Sequence, residues 1–409
     1  MLSVTQARAR IQEAFSPVEA ILLPLEEAAG RVLAGDLTAE TDLPPFDNSS
    51  VDGFAIHAAD SAGAGPDATR TLPVVADIRA GTTADAPLQP GQAARIMTGA
   101  ALPAGAEAVV MVEDTDFNVR TAGTPAPPAV GIRKQMRAGE NVRRRGDDLH
   151  AGDKVLQAGA RLRAQEVGLL AMLGVARVSV HRKPRLALLS SGDELLPAGA
   201  PLQPGKIRDA NSPALAALAE SAGAEVIRLG VARDTETEVR SRLELAANEK
   251  ADLIVSSAGV SVGAFDYVRA VLEQDGQLDF WQVNIRPGKP LAFGKYRDIP
   301  FFGLPGNPVS ALLGFEIFVR PALEKLSGAL PHSRLRLTAR LAEPLESDGR
   351  ESYLRAIVTE EQGGLVARLA GHQGSGNLFS LVRANALLIV PSGVKSLPAS
   401  SGVEIWLID

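Results

Sequence analysis

Two sets of residues in this 409-residue chain can do chemistry, and they favour opposite charges. The first is hydroxyl-rich and acidic: Ser190-Ser191-Gly192-Asp193-Glu194, the stretch Ser256 to Gly263 followed by Asp266, and Phe301 to Ser310, which reads Phe-Phe-Gly-Leu-Pro-Gly-Asn-Pro-Val-Ser. Small residues let backbone amides and hydroxyls line a pocket for phosphate-like oxygens, and Asp193, Glu194 and Asp266 are hard ligands suited to a divalent cation. In the third stretch Gly303 and Gly306 permit positive φ or close approach to a ligand, Asn307 can cap a helix and Pro308 fits its first turn. The second set is Arg286-Pro287-Gly288-Lys289-Pro290, two cations on a proline-stiffened loop that can be held toward one oxyanion. Each piece also has a purely structural use: Asp193 or Glu194 as a helix cap, Asp266 in a first helical turn, the cations as a solvated loop.

Composition narrows the chemistry. Lys and Arg total 42 against 48 Asp and Glu, a net charge of −6 that argues against a nucleic-acid or anionic-membrane partner held by bulk charge, so any anion site must be local. There is no cysteine, which removes disulfides, thiolate metal sites and cysteine nucleophiles. The five histidines, His57, His150, His181, His332 and His372, have no helix-face ligand spacing, so a metal is expected to be a hard ion on carboxylates. No apolar run of membrane-spanning length and no charged leader with an apolar core occurs, and a cytoplasmic protein is expected.

The elements that must position these residues follow from periodicity. Helical spacing marks Val4 to Phe15 and Arg163 to Leu173, and Leu25 to Leu33 reads as a further helix. Between Phe46 and about Glu140 the pattern changes to short alternating segments (Phe54 to His57, Leu72 to Ile78, Ala93 to Met97, Ala108 to Glu113) broken by Gly and Pro, with Thr121 to Gly131 a surface hairpin or loop. Farther on, apolar strands at Arg185 to Leu189, Glu225 to Val231, Asp252 to Ser256 and Ile299 to Gly303 alternate with helical segments at Ser212 to Ala222, Glu236 to Glu249, Tyr267 to Gln274 and Pro308 to Ser327. Strands alternating with helices predict a doubly wound parallel sheet, whose ligands sit at the carboxyl ends of the strands, where all three hydroxyl-rich turns fall.

Taken in order, eight stretches resemble the molybdopterin molybdenumtransferases, the MoeA family that includes the E domain of gephyrin. They are Phe46 to Phe54, Arg95 to Ala100, Arg143 to Asp148, Ser191 to Glu194, Ser256 to Tyr267, Pro287 to Pro290, Phe302 to Ser310 and Gly371 to Ser375, so the likeness spans essentially the whole chain. The resemblance implies an α/β multidomain subunit. A discontinuous helical dimerisation domain (1–46 and 141–178) would carry a β-rich insert (47–140). A doubly wound molybdopterin-binding domain related to molybdopterin adenylyltransferases (179–328) and a C-terminal β-barrel-like domain (331–409) would follow. It implies a homodimer, with molybdopterin adenylyltransferase and apo-molybdoenzymes as handover partners. The implied reaction places molybdenum from molybdate on adenylylated molybdopterin and releases AMP with Mg²⁺.

Position by position, Asp52, Thr98 and Asp148 look like the functional residues of the N-terminal half, and Glu194, Asp234 and Asp266 like the acidic set around phosphate and Mg²⁺, with Glu194 and Asp266 on the metal. Arg286, Lys289, Ser310, Arg355 and Ser375 look like the molybdate set. Ser191, Gly192, Ser257, Gly259, Ser261, Gly263, Pro305, Gly306 and Asn307 look like the pterin and nucleotide set. A tetrahedral dianion wants cationic and hydroxyl donors, whereas phosphoanhydride cleavage with a hard metal wants carboxylates, so the division is physically coherent. The chain departs from the commonest pattern at Arg286, where many relatives have lysine, and at Ala258, where many have glycine. The competing readings are a molybdopterin adenylyltransferase and a non-enzymatic gephyrin-like scaffold.

Overall fold

The computed structural model describes residues 1–117, 121, 123–258, 267–331 and 334–408. It separates into two compact units. One comprises Asp36–Gln157 with Leu169–Val175, and the other Met1–Gly35, Ala158–Gly168 and Ala176–Asp409. No described helix is long and apolar enough to cross a membrane.

The N-terminal helix α1 (Val4–Glu13) belongs to the second unit. Its start is fixed by a capping box, Ser3 accepting from the Gln6 amide while the Gln6 side chain accepts from the Ser3 amide, and Val4, Ala7 and Ile11 form its buried face. The helix expected over Leu25–Leu33 is absent. Only a 3₁₀ turn forms at Leu25–Glu27, Gly30 takes φ 77°, and Val32 and Leu33 pair in bridges with Arg161 and Val180. The apolar residues that suggested a helix are buried, Leu25 and Ala28 in and just after the turn and Val32 and Leu33 in the bridges.

The first unit is built on a five-stranded sheet of β1 (Gly53–Ile56), β2 (Arg70–Ile78), β3 (Ala93–Ile96), β4 (Ala108–Met111) and β5 (Ala129–Ile132), in the order β4-β1-β3-β2-β5. Phe54, Ile56, Val110, Val130 and Ile132 fill one face, and Ala55, Ile78, Ala94, Ile96 and Val109 the other. Helix α2 (Ala164–Met172) follows the unit's last β-rich segment, as its periodicity predicts.

The second unit contains β6 (Arg185–Ser191), α3 (Asn211–Ser221), β7 (Glu225–Ala232), α4 (Glu236–Asn248), β8 (Leu253–Ser257), α5 (Tyr267–Asp275), β9 (Gly276–Gln282), β10 (Pro290–Tyr296) and β11 (Ile299–Leu304). The sheet order is β7-β6-β8-β11-β10-β9, parallel from β7 to β11 and antiparallel at β10 and β9. The four parallel strands are the expected ones. The antiparallel pair escaped the periodicity because Gly276–Gln282 is short of apolar alternation and Pro290 opens its partner. Strand order reverses around β6, which puts a topological switch point between the carboxyl ends of β6 and β8. A helical run from Pro308 to Leu326 follows β11, as α6 (Pro308–Gly314), a π-helical turn at Phe315–Val319 and α7 (Arg320–Leu326).

The C-terminal segment is a closed barrel. Strands β12 (Arg336–Leu341), β13 (Glu351–Glu361), β14 (Gly364–Leu369), β15 (Ala386–Val390) and β16 (Gly402–Leu407) pair in the ring β13-β14-β12-β16-β15 and back to β13, which removes every free edge. The short helix α8 (Leu378–Arg383) lies between β14 and β15, and Ile285–Arg286 adds a parallel strand against β13. That last pairing ties the cationic loop of the doubly wound sheet to the barrel.

Candidate functional site

At the switch point the ends of β6, β8 and β11 lie side by side: Ser190 pairs with Ser257, and Ser257 with Leu304. Ser191 and Pro305 are buried beside them, and a crevice of about 320 Å³ opens between Glu194, Leu195, Ile207, Asn211, Ser257, Ala258, Gly306 and Asn307. The structure therefore brings together Ser191, Gly192, Glu194, Ser257, Pro305, Gly306 and Asn307 of the expected set. Gly259, Ser261, Gly263 and Asp266 lie outside the described residues, and so does His332.

Several local expectations change. No helix follows Asp193 or Glu194, so neither is a cap; the chain instead pairs Leu195–Leu196 with Ile207–Arg208. Gly192 has φ 147°, and a Cβ there would stand 2.6 Å from Glu194 Oε2, so the bare glycine gives room for the Glu194 carboxylate. Asp193 and Asp234 exchange contacts, each amide donating to the other's carboxylate at 3.3 and 3.4 Å, and Lys206 Nζ donates to the Asp193 carbonyl. Asp234 thus braces the acidic turn from the end of β7. Gly303 is an ordinary strand residue and Gly306 has no positive φ. Asn307 occupies the N-cap position of α6 without a side-chain capping bond. Among the described residues no three His, Cys, Asp or Glu side chains form a metal cradle.

Ala258 adopts φ 72°, the left-handed region where a Cβ costs about 1 kcal/mol or more. Its amide donates to the Leu304 carbonyl at 3.0 Å and its carbonyl accepts from Ser256 Oγ at 3.2 Å, contacts that hold the unfavourable conformation. Asn211 was not expected from the sequence. It is 7% exposed, and its Nδ2 donates to Ser257 Oγ at 2.7 Å and to the Gly306 carbonyl at 2.8 Å, while Oδ1 is buried without a partner among the described residues. The available signal was Asp209-Ala-Asn-Ser-Pro, a run of turn and cap formers opening the helix after the first parallel strand.

The cationic group converges on the other side of α6. Arg355, on β13, is fully buried. Its Nε donates to Ser380 Oγ at 3.0 Å and its Nη2 to the carbonyls of His372 (3.3 Å) and Gly374 (3.0 Å). Its amide donates to Gln373 Oε1 and its carbonyl accepts from Gln373 Nε2, so the Gly371–Ser375 motif is wrapped around this one residue. Every one of those partners is neutral, and Nη1 is buried with none among the described residues. Burial, and secondly the charge of Arg286, push the Arg355 pKa down to about 10. The Ser375 carbonyl accepts from the Val309 amide at 3.1 Å, which places the motif against the buried Ser310. A Cβ on Gly288 would stand 3.7 Å from the Ser310 carbonyl, so the Arg286–Lys289 turn abuts the same spot. Arg286 has one distant carboxylate, Asp348 at 3.8 Å, and Lys289 is exposed with no ion pair among the described residues. All five expected anion ligands thus belong to one neighbourhood.

In the first unit Asp52 and Thr98 are joined directly, Asp52 Oδ1 accepting from both the Thr98 amide and Oγ1 at 2.7 Å. Both line a cleft of about 670 Å³ with Asp77, Arg79, Arg95 and Glu113. Arg95 is held bidentately by Asp77 at 2.8 and 2.5 Å. Asp148 is not on that cleft; it pairs with Arg143 at 2.7 Å on an exposed turn.

Comparison with known proteins finds three family regions along the chain. Residues 2–174 match the MoeA N-terminal region (domain I and II), 187–325 a probable molybdopterin binding domain, and 338–408 the MoeA C-terminal region (domain IV). The chain is 38% identical to molybdopterin molybdenumtransferase 2 of Mycobacterium tuberculosis (strain ATCC 25618 / H37Rv), over 99% of each chain. It is 37% identical to the molybdopterin molybdenumtransferase of Haemophilus influenzae, over 99% of this chain and 98% of that one. The crystal structure of the molybdopterin biosynthesis MoeA protein from Pyrococcus horikoshii OT3 superposes with a TM-score of 0.82 at 30% identity, covering 100% of both. With likeness of this extent in sequence and in fold, the chain belongs to the MoeA family.

Proposed function

We propose that the chain is a molybdopterin molybdenumtransferase, which inserts molybdenum from molybdate into adenylylated molybdopterin and releases AMP with Mg²⁺. The observation that carries this reading is Arg355: a buried guanidinium with only neutral partners, whose Nη1 amino group has none among the described residues, is costly unless an anion completes it. A tetrahedral dianion suits the place, because Arg355, Arg286 and Lys289 supply charge while Ser310 and Ser375 supply hydroxyl donors.

On the other side of α6 the crevice offers backbone and hydroxyl groups to a nucleotide phosphate, from Ser191, Gly192, Ser257, Pro305, Gly306 and Asn307, and Gly259, Ser261 and Gly263 are proposed as further ligand contacts. The Glu194 carboxylate has no hydrogen-bond partner among the described residues, a hard ligand free to accept Mg²⁺ in a site completed by phosphate oxygens and water. Glu194 and Asp266 would hold the ion, which when bound supplies charge neutralisation for the departing phosphate. Asp193 and Asp234 keep the acidic turn in shape through their mutual amide contacts. No protein nucleophile is required; positioning and electrostatics do the work. Asp52 and Thr98 from the β-rich insert and Asp148 from the discontinuous helical domain are proposed to act in a homodimer of four-domain subunits, in the cytoplasm. Molybdopterin adenylyltransferase would be the donor and apo-molybdoenzymes the acceptors.

The test mixes purified protein with adenylylated molybdopterin, Mg²⁺ and molybdate, and measures AMP together with cofactor able to reconstitute an apo-molybdoenzyme. Molybdate-dependent appearance of both is expected. ATP consumption without molybdate would point to adenylyl transfer instead, and partner binding without turnover to a scaffold.

A further inference from the structure

We propose that Asn211 is a positioning residue that fixes the separation of the two ligand-facing turns at the switch point, Ser257–Ala258 after β8 and Pro305–Asn307 after β11. The proposal rests on the reading of this crevice as the nucleotide side and goes beyond it by assigning what sets the crevice's width. The β8–β11 ladder ends at Ser257 and Leu304, and past it the main-chain link between the turns is the Ala258 amide on the Leu304 carbonyl. Asn211 supplies a second link from a third element: one side-chain amide group reaches Ser257 Oγ at 2.7 Å and the Gly306 carbonyl at 2.8 Å.

Its own position is fixed. The Asp209 carboxylate accepts from the Asn211 amide at 3.0 Å and the Ser212 amide at 3.1 Å, and Ser212 Oγ bonds Ser190 Oγ at 2.8 Å, which joins the start of α3 to the end of β6. Three strand ends are thereby held at set spacing by one helix start. Two features indicate that this arrangement serves the ligand and not stability. Asn211 Oδ1 is buried and unpaired among the described residues, an arrangement that costs stability, and the Ala258 turn is held in a left-handed conformation that would relax if released. Ala258 and Gly306 face each other closely enough that a Cβ on Gly306 would lie 3.4 Å from the Ala258 Cβ, so a small change in spacing changes what fits.

The experiment uses the full chain and the variants Asn211→Asp, which keeps the shape but replaces the donating amide, and Asn211→Ala, which cuts both links. AMP and molybdate affinities are measured by calorimetry, and amide exchange is followed at residues 257–258 and 306–307. AMP affinity is expected to fall about tenfold in the Asp variant and further in the Ala variant, with molybdate affinity unchanged and exchange faster at the two turns. AMP affinity within twofold of wild type, equal loss of AMP and molybdate affinity, or unchanged exchange at the turns would overturn the proposal. The exchange readout needs no ligand, so a wild-type protein that binds no AMP would contradict the nucleotide reading alone. Should neither variant fold, the wild-type Asn211 side-chain amide protons decide: slow exchange supports the clamp, and exchange at the rate of a solvated amide removes it.

Discussion

The two sides of α6 are built by opposite rules. In the strand-end crevice charge is peripheral: Glu194 is exposed, Asp193 and Asp234 rest on each other's amides, and the buried positions are neutral groups, Ser191, Ser257 and Asn211. Around Arg355 the charge is central and buried, while the groups touching it are neutral. A buried cation without a carboxylate is unfavourable in the resting protein and favourable toward an incoming anion, whereas backbone and hydroxyl donors accommodate a ligand that brings its own metal. On the proposed function, one side would meet a naked oxyanion and the other a metal-bound phosphate.

The sharpest way to break that contrast is to remove acid from the crevice. Asp266→Asn or Glu194→Gln is expected to lower AMP release by about 100-fold or more while molybdate binding persists, since a metal ligand acts chiefly on the charge developing in the transition state. Normal turnover in either variant would remove the metal assignment. On the cationic side Lys289→Ala should weaken molybdate dependence by about tenfold, as expected for loss of one partly exposed charge-assisted contact. A molybdate titration that superposes on wild type would count against Lys289.

Smaller effects refine the picture. Ala258→Gly relieves the left-handed conformation but frees the unfolded chain, so a net gain of about 0.5 kcal/mol is expected, with turnover retained. A fall in melting temperature would show that the Cβ is needed where it stands. In the other unit the Asp77 carboxyl is held below its usual range, first by the hydrogen bond from Arg95. A carboxyl with a lowered folded pKa contributes stability that is present above its unfolded pKa and lost as pH falls through the folded one. Melting of the β-rich unit should therefore drop below about pH 4 in wild type and lose part of that dependence in Asp77→Asn. Equal acid sensitivity in both would assign it to other groups.

How far the sequence reveals this depends on the kind of signal. The parallel strands β6, β8 and β11 are legible because each is a mostly apolar, largely buried run, the edge strand β7 because its apolar residues are bounded by helical segments, and the helices between them keep a buried stripe. The segment Leu25–Leu33 misleads because four buried apolar residues at helical spacing serve equally well in turns and bridges once Gly30 breaks the run. At the site, types and order group Glu194, Ser257 and Gly306, which share one crevice, and Arg286 with Ser310, whose segments abut. The link between Asn211 and Gly306, 95 positions apart, is invisible to any local pattern, and so is the burial of Arg355, which depends on the barrel closing around it.

The most direct test of the central claim is a molybdate titration of wild type against Arg355→Gln, read both as binding and as melting temperature. Wild type should bind and be stabilised by the anion, and the variant should lose about 100-fold in affinity and show no anion-induced rise in melting temperature while remaining folded. A folded Arg355→Gln protein that binds molybdate as tightly as wild type would contradict the account.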